Sequence, residues 1–325
     1  MTAMNRSRIV STAPIDRIAR DILEQIAPVE ISPAPDEKTM LGMLENTIAL
    51  VARGVEGGVT GQMIRACPTL RVIGRPGAGY DNVDVATATE HQIPVVYAPV
   101  AGFAVAEGAL ALLLTLVKKI PLCDSIVKSG QWKKRYELTT GDMAEKTLGI
   151  IGCGRIGARL AQLAQPFGLK ILGYDPCVSE SLFKDFVMEM VSLRKLLQES
   201  DYISIHVPLT RDTQGLIDKE SIALMKRGAI LINTARGGVV KNLDVLADAL
   251  ESGQLGAVGL DVFPVEPPDS THRLFKDPRL VCAPHLLGVS DLAMDRIYRS
   301  MSQDMVAVLG GKQPKYCVNP QVLKQ

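Results

Sequence analysis

An excess of charge of either sign is missing from this chain. Its 36 lysines and arginines stand against 35 aspartates and glutamates, a net of +1 at neutral pH. That balance gives no general electrostatic attraction for nucleic acid or an anionic membrane. A long apolar run is missing as well. The most apolar stretch, GALALLLTLV (Gly108–Val117), falls well short of the ~20 residues that crossing a bilayer takes. It is bounded by Glu107 and by Lys118-Lys119, so it reads as a buried helix. The start, MTAMNRSRIVSTAPIDR, holds no apolar core of signal-peptide length ahead of its first charges. Cysteine is present but unpatterned. Six residues (67, 123, 153, 177, 282, 317) include no Cys-x-x-Cys pair. That argues against a zinc site or a disulfide framework and suits a reducing cytoplasm. Internal repeats, low-complexity tracts and long charge runs are likewise missing.

What the chain does have is length and alternation. At 325 residues, 47% apolar and 22% charged, it can bury the core of two domains. RIVST, VEIS, TIALVA, LRVIG and PVVYA are short aliphatic or β-branched runs in the first hundred residues. Helical patterns such as IDRIARDILEQI and TGQMIRAC lie between them. A second series begins at Thr147. TLGIIG, KILGYD, YISIHVP, AILINTA, AVGLDVF and LVCAPH read as six strands separated by helix-capable segments. Strand–helix alternation means parallel sheets covered by helices on both faces, an α/β fold. The segment Ala101–Gly141 reads as a long helix and a polar connection bridging the two sheets.

The second series opens on a glycine-rich turn, Gly152-Cys153-Gly154-Arg155-Ile156-Gly157. In such a turn the first glycine allows the tight bend and the second lets the backbone approach a pyrophosphate. The third lets helix and strand pack closely. First-turn N–H groups and the helix dipole then meet the phosphates. A strand precedes the turn, an amphipathic helix follows, and Asp175 ends the next strand 18 residues after Gly157. A carboxylate there accepts hydrogen bonds from both ribose hydroxyls and repels a 2′-phosphate, and Pro176-Cys177 supplies no offsetting arginine. NAD is therefore expected over NADP.

Chemistry in such a sheet lies beyond the carboxyl ends of the strands. AILINTARGG brings Arg236 there, AVGLDVFPVEPP brings Asp261 and Glu266, and LVCAPHLLG brings His285. Taken singly, an Arg before Gly-Gly caps a turn, a Glu before Pro-Pro lies on a loop, and a lone His is more often structural. Together they supply what reduction of a 2-oxo acid needs. An arginine fork holds the carboxylate and polarises the oxo group. A histidine gives or takes the carbonyl proton, and a carboxylate orients the imidazole. Only four histidines exist (91, 206, 272, 285); His206, also after a strand, competes with His285.

At this point the chain resembles the NAD-dependent D-isomer-specific 2-hydroxyacid dehydrogenases, the group that includes phosphoglycerate dehydrogenases and glyoxylate/hydroxypyruvate reductases. The resemblance rests on GRPGAGYDNVD (74–84), KTLGIIGCGRIG (146–157), HVPLT (206–210), INTARGG (232–238), LDVFPVEP (260–267) and APH (283–285), in that order along nearly the whole chain. It implies that Arg236 binds and polarises a small 2-oxo or 2-hydroxy acid, and that His285 is the acid/base with Glu266 as its partner. Gly152, Gly154, Arg155, Ile156, Gly157, Asp175, Val207, Pro208, Thr234, Ala235 and Asp261 would line NAD beside Arg236 and His285, with Asp261 facing the nicotinamide carboxamide. The backbone at Ala78-Gly79 would receive the substrate carboxylate, with Arg53 nearby.

The resemblance also implies two doubly wound parallel-sheet domains. A flavodoxin-like substrate-binding domain would take residues 1–103 and 291–325, and a Rossmann NAD-binding domain residues 104–290, with the active site in the cleft between them. A cytoplasmic homodimer is expected. Two departures stand out. The family often continues with glycines after its histidine, whereas this chain has Leu286-Leu287-Gly288-Val289. Phosphoglycerate members carry closely spaced arginines after the third strand, whereas ARGVEGGVT has Arg53 and then Glu56, a carboxylate that would repel a phosphate. The chain stops where the two-domain core ends, so no appended regulatory domain is expected. Two rival readings follow the same residues: an NAD(H)-responsive regulatory binding protein of the corepressor kind, and a dehydrogenase of formate. The second fits poorly with a Glu266–His285 proton-transfer pair.

Overall fold

A computed structural model describes residues 7–54, 58–178 and 187–323. The chain divides into two compact units, Met1–Ala101 with Ser290–Gln325, and Gly102–Val289. Strands and helices are numbered in chain order.

In the first unit the apolar runs become β1 (Arg8–Ser11), β2 (Val29–Ile31), β3 (Thr47–Val51), β4 (Val72–Arg75) and β5 (Val95–Tyr97). They pair in parallel in the order β2-β1-β3-β4-β5, the flavodoxin-like arrangement expected from the sequence. Helices α1 (Arg17–Leu23), α2 (Glu37–Leu41), α3 (Gly61–Arg65) and α4 (Val85–Glu90) alternate with them. Each begins at a short polar residue, Asp16, Asp36, Thr60 or Asp84, whose side chain accepts from a first-turn N–H. The last helix, α11 (Asp291–Leu309), returns to pack against α1, β4 and β5. Gly74 makes that return possible: a Cβ there would lie 2.2 Å from the Met305 sulfur.

The second unit carries β6 (Thr147–Ile151), β7 (Lys170–Tyr174), β8 (Glu189–Met190), β9 (Tyr202–Ile205), β10 (Ala229–Asn233), β11 (Leu255–Leu260) and β12 (Leu280–Cys282). All are parallel, in the order β12-β11-β10-β9-β6-β7-β8. Six were expected. The seventh, β8, has two residues and no periodicity to read. The helices are α5 (Gly102–Val117), α6 (Ile120–Lys128), α7 (Arg155–Ala164), α8 (Leu193–Glu199), α9 (Lys219–Ala223) and α10 (Leu243–Glu251). The sheet is buried on both faces. Ile203, Ile205, Leu231 and Val258 pack with Leu246 and Leu250 on one, while Leu148 and Ile150 pack with Leu113, Leu116 and Leu160 on the other. Burial on both faces explains the near-continuous apolar strands.

The segment read as a long helix and a polar bridge differs from that reading. Its long helix, α5, lies against α7, β10 and β11 as a layer of this unit's own sheet. A second helix, α6, then follows after Lys119 turns the chain in a left-handed conformation, φ 51°, with proline in the first turn. Among the described residues no helix is long and apolar enough to cross a membrane.

Candidate active site

From β6 the chain steps outward to β7 and β8; from β9 it steps the other way to β10, β11 and β12. The connections after β6 and β9 thus leave in opposite directions, which makes this the switch point at which doubly wound sheets hold ligands. Every candidate residue of this unit follows one of these strand ends.

The glycine turn is built as its sequence requires. Gly152 has φ +94°, and a Cβ on it would come within 2.6 Å of the His206 carbonyl carbon, so the loops after β6 and β9 lie against each other. Val207 is buried there and Pro208 exposed. A Cβ on Gly157 would stand 2.1 Å from the Gly152 oxygen. Gly154, the residue before α7, differs: a Cβ there would meet nothing within 4 Å. Open space thus lies beside Gly154 at the start of α7.

Asp175 follows β7. Its Oδ2 accepts from the Cys153 N–H at 2.9 Å and its Oδ1 from the Cys177 N–H at 2.9 Å. An ionised carboxylate has about four acceptor positions, so each oxygen keeps capacity for a ribose hydroxyl. The Cys153 thiol beneath is pushed up to about 12, by burial first and then by the charge of Asp175, and is chemically quiet. Two polar atoms at the neighbouring strand ends, Thr234 Oγ1 and His206 Nδ1, are buried with no hydrogen-bond partner. An open cradle at a helix start, a carboxylate on the adjacent strand and two orphaned polar atoms on the same rim fit a dinucleotide.

His206, the competing histidine, packs beside Ser204 at the end of β9. Its Nε2 lies 2.8 Å from Ser204 Oγ. Burial pushes the imidazole down to about 4, which keeps it neutral.

The other candidates converge. Asn233, the last residue of β10, is fully buried; its Nδ2 donates to the Arg236 carbonyl at 2.9 Å and its Oδ1 accepts from the Ala235 N–H at 3.0 Å. This folds Thr234–Arg236 into a tight loop. Gly237 presses that loop onto the segment after β11, since a Cβ there would lie 1.9 Å from the Phe263 carbonyl carbon. Arg236 Nη1 donates to the Ala235 carbonyl at 2.7 Å. On the facing segment, Glu266 Oε1 accepts from the Phe263 N–H at 2.9 Å, and Oε2 stands 2.8 Å from His285 Nδ1. Burial alone would raise the Glu266 carboxyl. The His285 and Phe263 hydrogen bonds, with the charges of His285 and Arg236, outweigh it and hold the group below the ordinary value.

Asp261 sits beneath this pair, 2% exposed. Its carbonyl accepts from the His285 N–H at 2.8 Å, and its carboxylate from the N–H groups of Leu286 at 2.9 Å and Leu287 at 3.3 Å. Burial is the largest influence on it and raises its pKa. The structure thus brings Arg236, Glu266, His285 and Asp261 together. It adds Asn233, Gly237 and the Phe263 N–H, which the sequence reading passed over. A lone asparagine closing the apolar run AILIN was the available signal.

The first unit gathers its own candidates at the carboxyl end of its sheet. Arg53 follows β3; its N–H donates to Thr12 Oγ1 at 2.8 Å and its guanidinium to the Pro14 carbonyl. Ala78 and Gly79 follow β4. Arg75 Nε donates to Asn82 Oδ1 at 2.9 Å, and Asn82 Nδ2 to the Gly54 carbonyl at 2.8 Å, tying the loops after β3 and β4 together. Glu56, held above to oppose a phosphate, lies outside the described residues.

A glycine-turn crevice with a hydrogen-bonded His285–Glu266 pair and an arginine near it is what an NAD-dependent oxidoreductase of the doubly wound α/β class presents. Comparison with known proteins narrows this. The family model for "D-isomer specific 2-hydroxyacid dehydrogenase, NAD binding domain" matches residues 110–286. A glyoxylate reductase of Korarchaeum cryptofilum is 37% identical over 294 residues, covering 89% of this chain and 88% of that one. A D-3-phosphoglycerate dehydrogenase of Methanocaldococcus jannaschii is 36% identical over 315 residues, 96% of this chain but 59% of that longer protein. Among solved structures, a D-lactate dehydrogenase of Aquifex aeolicus complexed with NAD and lactic acid superposes with a TM-score of 0.86 at 28% identity, over 96% of this chain and 99% of that one. The chain belongs to the D-isomer specific 2-hydroxyacid dehydrogenase family.

Proposed function

We propose that the protein reduces a small 2-oxo acid to the D-2-hydroxy acid, or runs the reverse reaction, with His285 as acid/base and Arg236 as the substrate-binding arginine. The observation that carries this reading is the 2.8 Å bond between His285 Nδ1 and Glu266. It commits one ring nitrogen to the carboxylate and leaves Nε2 to exchange a proton with the substrate oxygen. Arg236, one loop away, holds the carboxylate and polarises the oxo group. NAD(H), when bound, supplies or takes the hydride. For it we assign the turn Gly152, Gly154, Arg155, Ile156 and Gly157, then Asp175 on the ribose, with Val207, Pro208, Thr234, Ala235 and Asp261 as lining. The discontinuous first unit is the substrate-binding domain in this reading, with Ala78, Gly79 and Arg53 as its contacts. The Glu266–His285 pair favours turnover over a purely NAD(H)-responsive binding role, and proton transfer over formate oxidation.

The chain works as a homodimer in the cytoplasm in this reading. Ile120, Leu122, Val127, Trp132 and Tyr136 support the first point, being exposed apolar side chains within one short stretch. Six free cysteines support the second. The test is NADH oxidation with glyoxylate, hydroxypyruvate, pyruvate, 2-oxoisocaproate, phenylpyruvate and 3-phosphohydroxypyruvate. Turnover on one or two of these, lost in Arg236→Ala and His285→Ala with NADH binding retained, is the expected result. Near-normal turnover in either variant contradicts the assignment.

A further inference from the structure

The run Leu286-Leu287-Gly288, where the family pattern is richer in glycine, has a specific seat. Helix α5 passes beside it. A Cβ on Gly108 of that helix would lie 2.6 Å from Leu287 Cβ, 3.0 Å from the Leu287 carbonyl oxygen and 3.3 Å from its Cα. One turn away the relation is reversed: a Cβ on Gly288 would lie 2.8 Å from Val105 Cγ2. Leu287 thus fills the gap left by one glycine, and Val105 faces the gap left by the other. The contact at Gly108 is with backbone and Cβ atoms, which no side-chain rotation can move aside.

On its opposite side the same run is fastened to Asp261. That residue takes the N–H groups of His285, Leu286 and Leu287 in turn, the first on its carbonyl and the other two on its carboxylate. Between these two supports His285 adopts φ 55°, the left-handed region that is uncommon for a non-glycine residue. The imidazole direction follows from that backbone, and its 2.8 Å reach to Glu266 follows from the direction.

We propose that Gly108 and Leu287 are a positioning pair for His285: α5 presses the 286–288 turn onto Asp261 and thereby sets the histidine's backbone and its aim. This rests on the reading of His285 as the acid/base. Gly108 itself has no place in the proton transfer; it acts through Leu287. Glu266 bears on the imidazole from the segment after β11, and Arg236 bears on Glu266 from the loop after β10, so a displaced turn alters the ring's relation to that carboxylate.

The experiment compares Gly108→Ala, Leu287→Gly and the glycine exchange Gly108→Ala/Leu287→Gly with wild type and His285→Ala. It uses the full-length protein and whichever 2-oxo acid the panel above turns over. Gly108→Ala is expected to lower kcat on the order of tenfold, the scale set by sub-ångström misplacement of a catalytic group. NADH affinity, read by fluorescence, should stay within about twofold, and the pH limb of kcat should move. The exchange variant removes the Leu287 Cβ that the new methyl would strike, and should recover most of the loss. A merely structural role would lower the melting temperature and leave the pH limb where it was.

If His285→Ala is inactive while Gly108→Ala keeps wild-type kcat and pH profile, the positioning role is wrong and the acid/base reading stands. If His285→Ala keeps its turnover, the acid/base reading itself fails. Should Gly108→Ala not fold, Leu287→Gly decides, because it removes the Cβ that seats on Gly108: a several-fold fall in kcat with a displaced pH limb supports the pair, and an unchanged profile overturns it.

Discussion

Glu266 holds His285 and the Phe263 N–H at once, one carboxylate oxygen to each, at 2.8 and 2.9 Å. The Phe263 bond immobilises the carboxylate and the His285 bond passes that order to the imidazole. An ionised carboxylate only accepts, so Nδ1 is the donor in this pair and Nε2 the nitrogen left free of it, the one that the proposed function assigns to the substrate. Because Glu266 is held below the ordinary carboxyl value, by hydrogen bonds and cationic charge that outweigh its burial, it stays ionised across the neutral range.

Glu266→Gln preserves the outline of that side chain and removes its charge. In steady-state reduction of the accepted 2-oxo acid, kcat/KM should fall on the order of a hundredfold, in line with the worth of a positioned acid/base. NADH binding should be nearly unchanged. Wild-type kcat/KM in this variant would mean that the carboxylate only braces the loop.

Asp175 does two things with one carboxylate. Its charge disfavours a 2′-phosphate where the proposed function places the ribose, and its oxygens hold the Cys153 and Cys177 N–H groups. Asp175→Ala should narrow the preference for NADH over NADPH by about tenfold, roughly the effect of removing one partly screened repulsion. It should also weaken NADH itself, because the glycine turn loses its brace. Paired kcat/KM values for the two cofactors check this, and an unchanged ratio would rule out the charge argument.

Much of this was legible before any coordinates, for a physical reason. Strands covered on both faces are apolar throughout, so AILIN and YISI announced themselves, and glycine turns are marked by what they lack. The pair β8, two residues long, has no period to detect. Helix α6 went unread because its apolar side chains are largely exposed and its sequence resembles a connection. At the site, Arg236, Glu266 and His285 were named from their strand ends. Asn233, Gly237 and the seat of Leu287 on Gly108 depend on which loops touch across the sheet, and spacing along the chain does not encode that. Asp261 was expected only at the nicotinamide. Its carboxylate also fastens the turn behind His285.

A buried amide helps to hold the segment after α11. Asn319, 1% exposed, accepts the Val95 N–H at 2.8 Å and donates to the Ile93 carbonyl and Thr89 Oγ1 at 3.0 Å each. It completes the edge of β5, where Cys317 pairs with Val96 in an antiparallel bridge. Asn319→Ala would strand a buried N–H and a buried carbonyl, which costs about 2 to 4 kcal/mol. Thermal unfolding should show the first unit losing stability by that amount, and a variant as stable as wild type would show that water replaces the amide without loss.

His206 ties stability to pH. Burial pushes its imidazole down to about 4 in the folded protein, against an ordinary value near 6.5 in the unfolded chain. Above about pH 6.5 both states hold it neutral, and its contribution is fully present. As pH falls from there, the unfolded chain takes up a proton that the folded protein refuses. Stability drains away until about pH 4, where the folded state is protonated as well. The shift is worth about 3 kcal/mol. His206→Gln can keep a hydrogen bond to Ser204 and cannot titrate. Denaturation midpoints taken at about pH 7 and about pH 4.5 should fall more steeply for wild type than for this variant. Parallel slopes would mean that the imidazole reaches solvent and titrates normally.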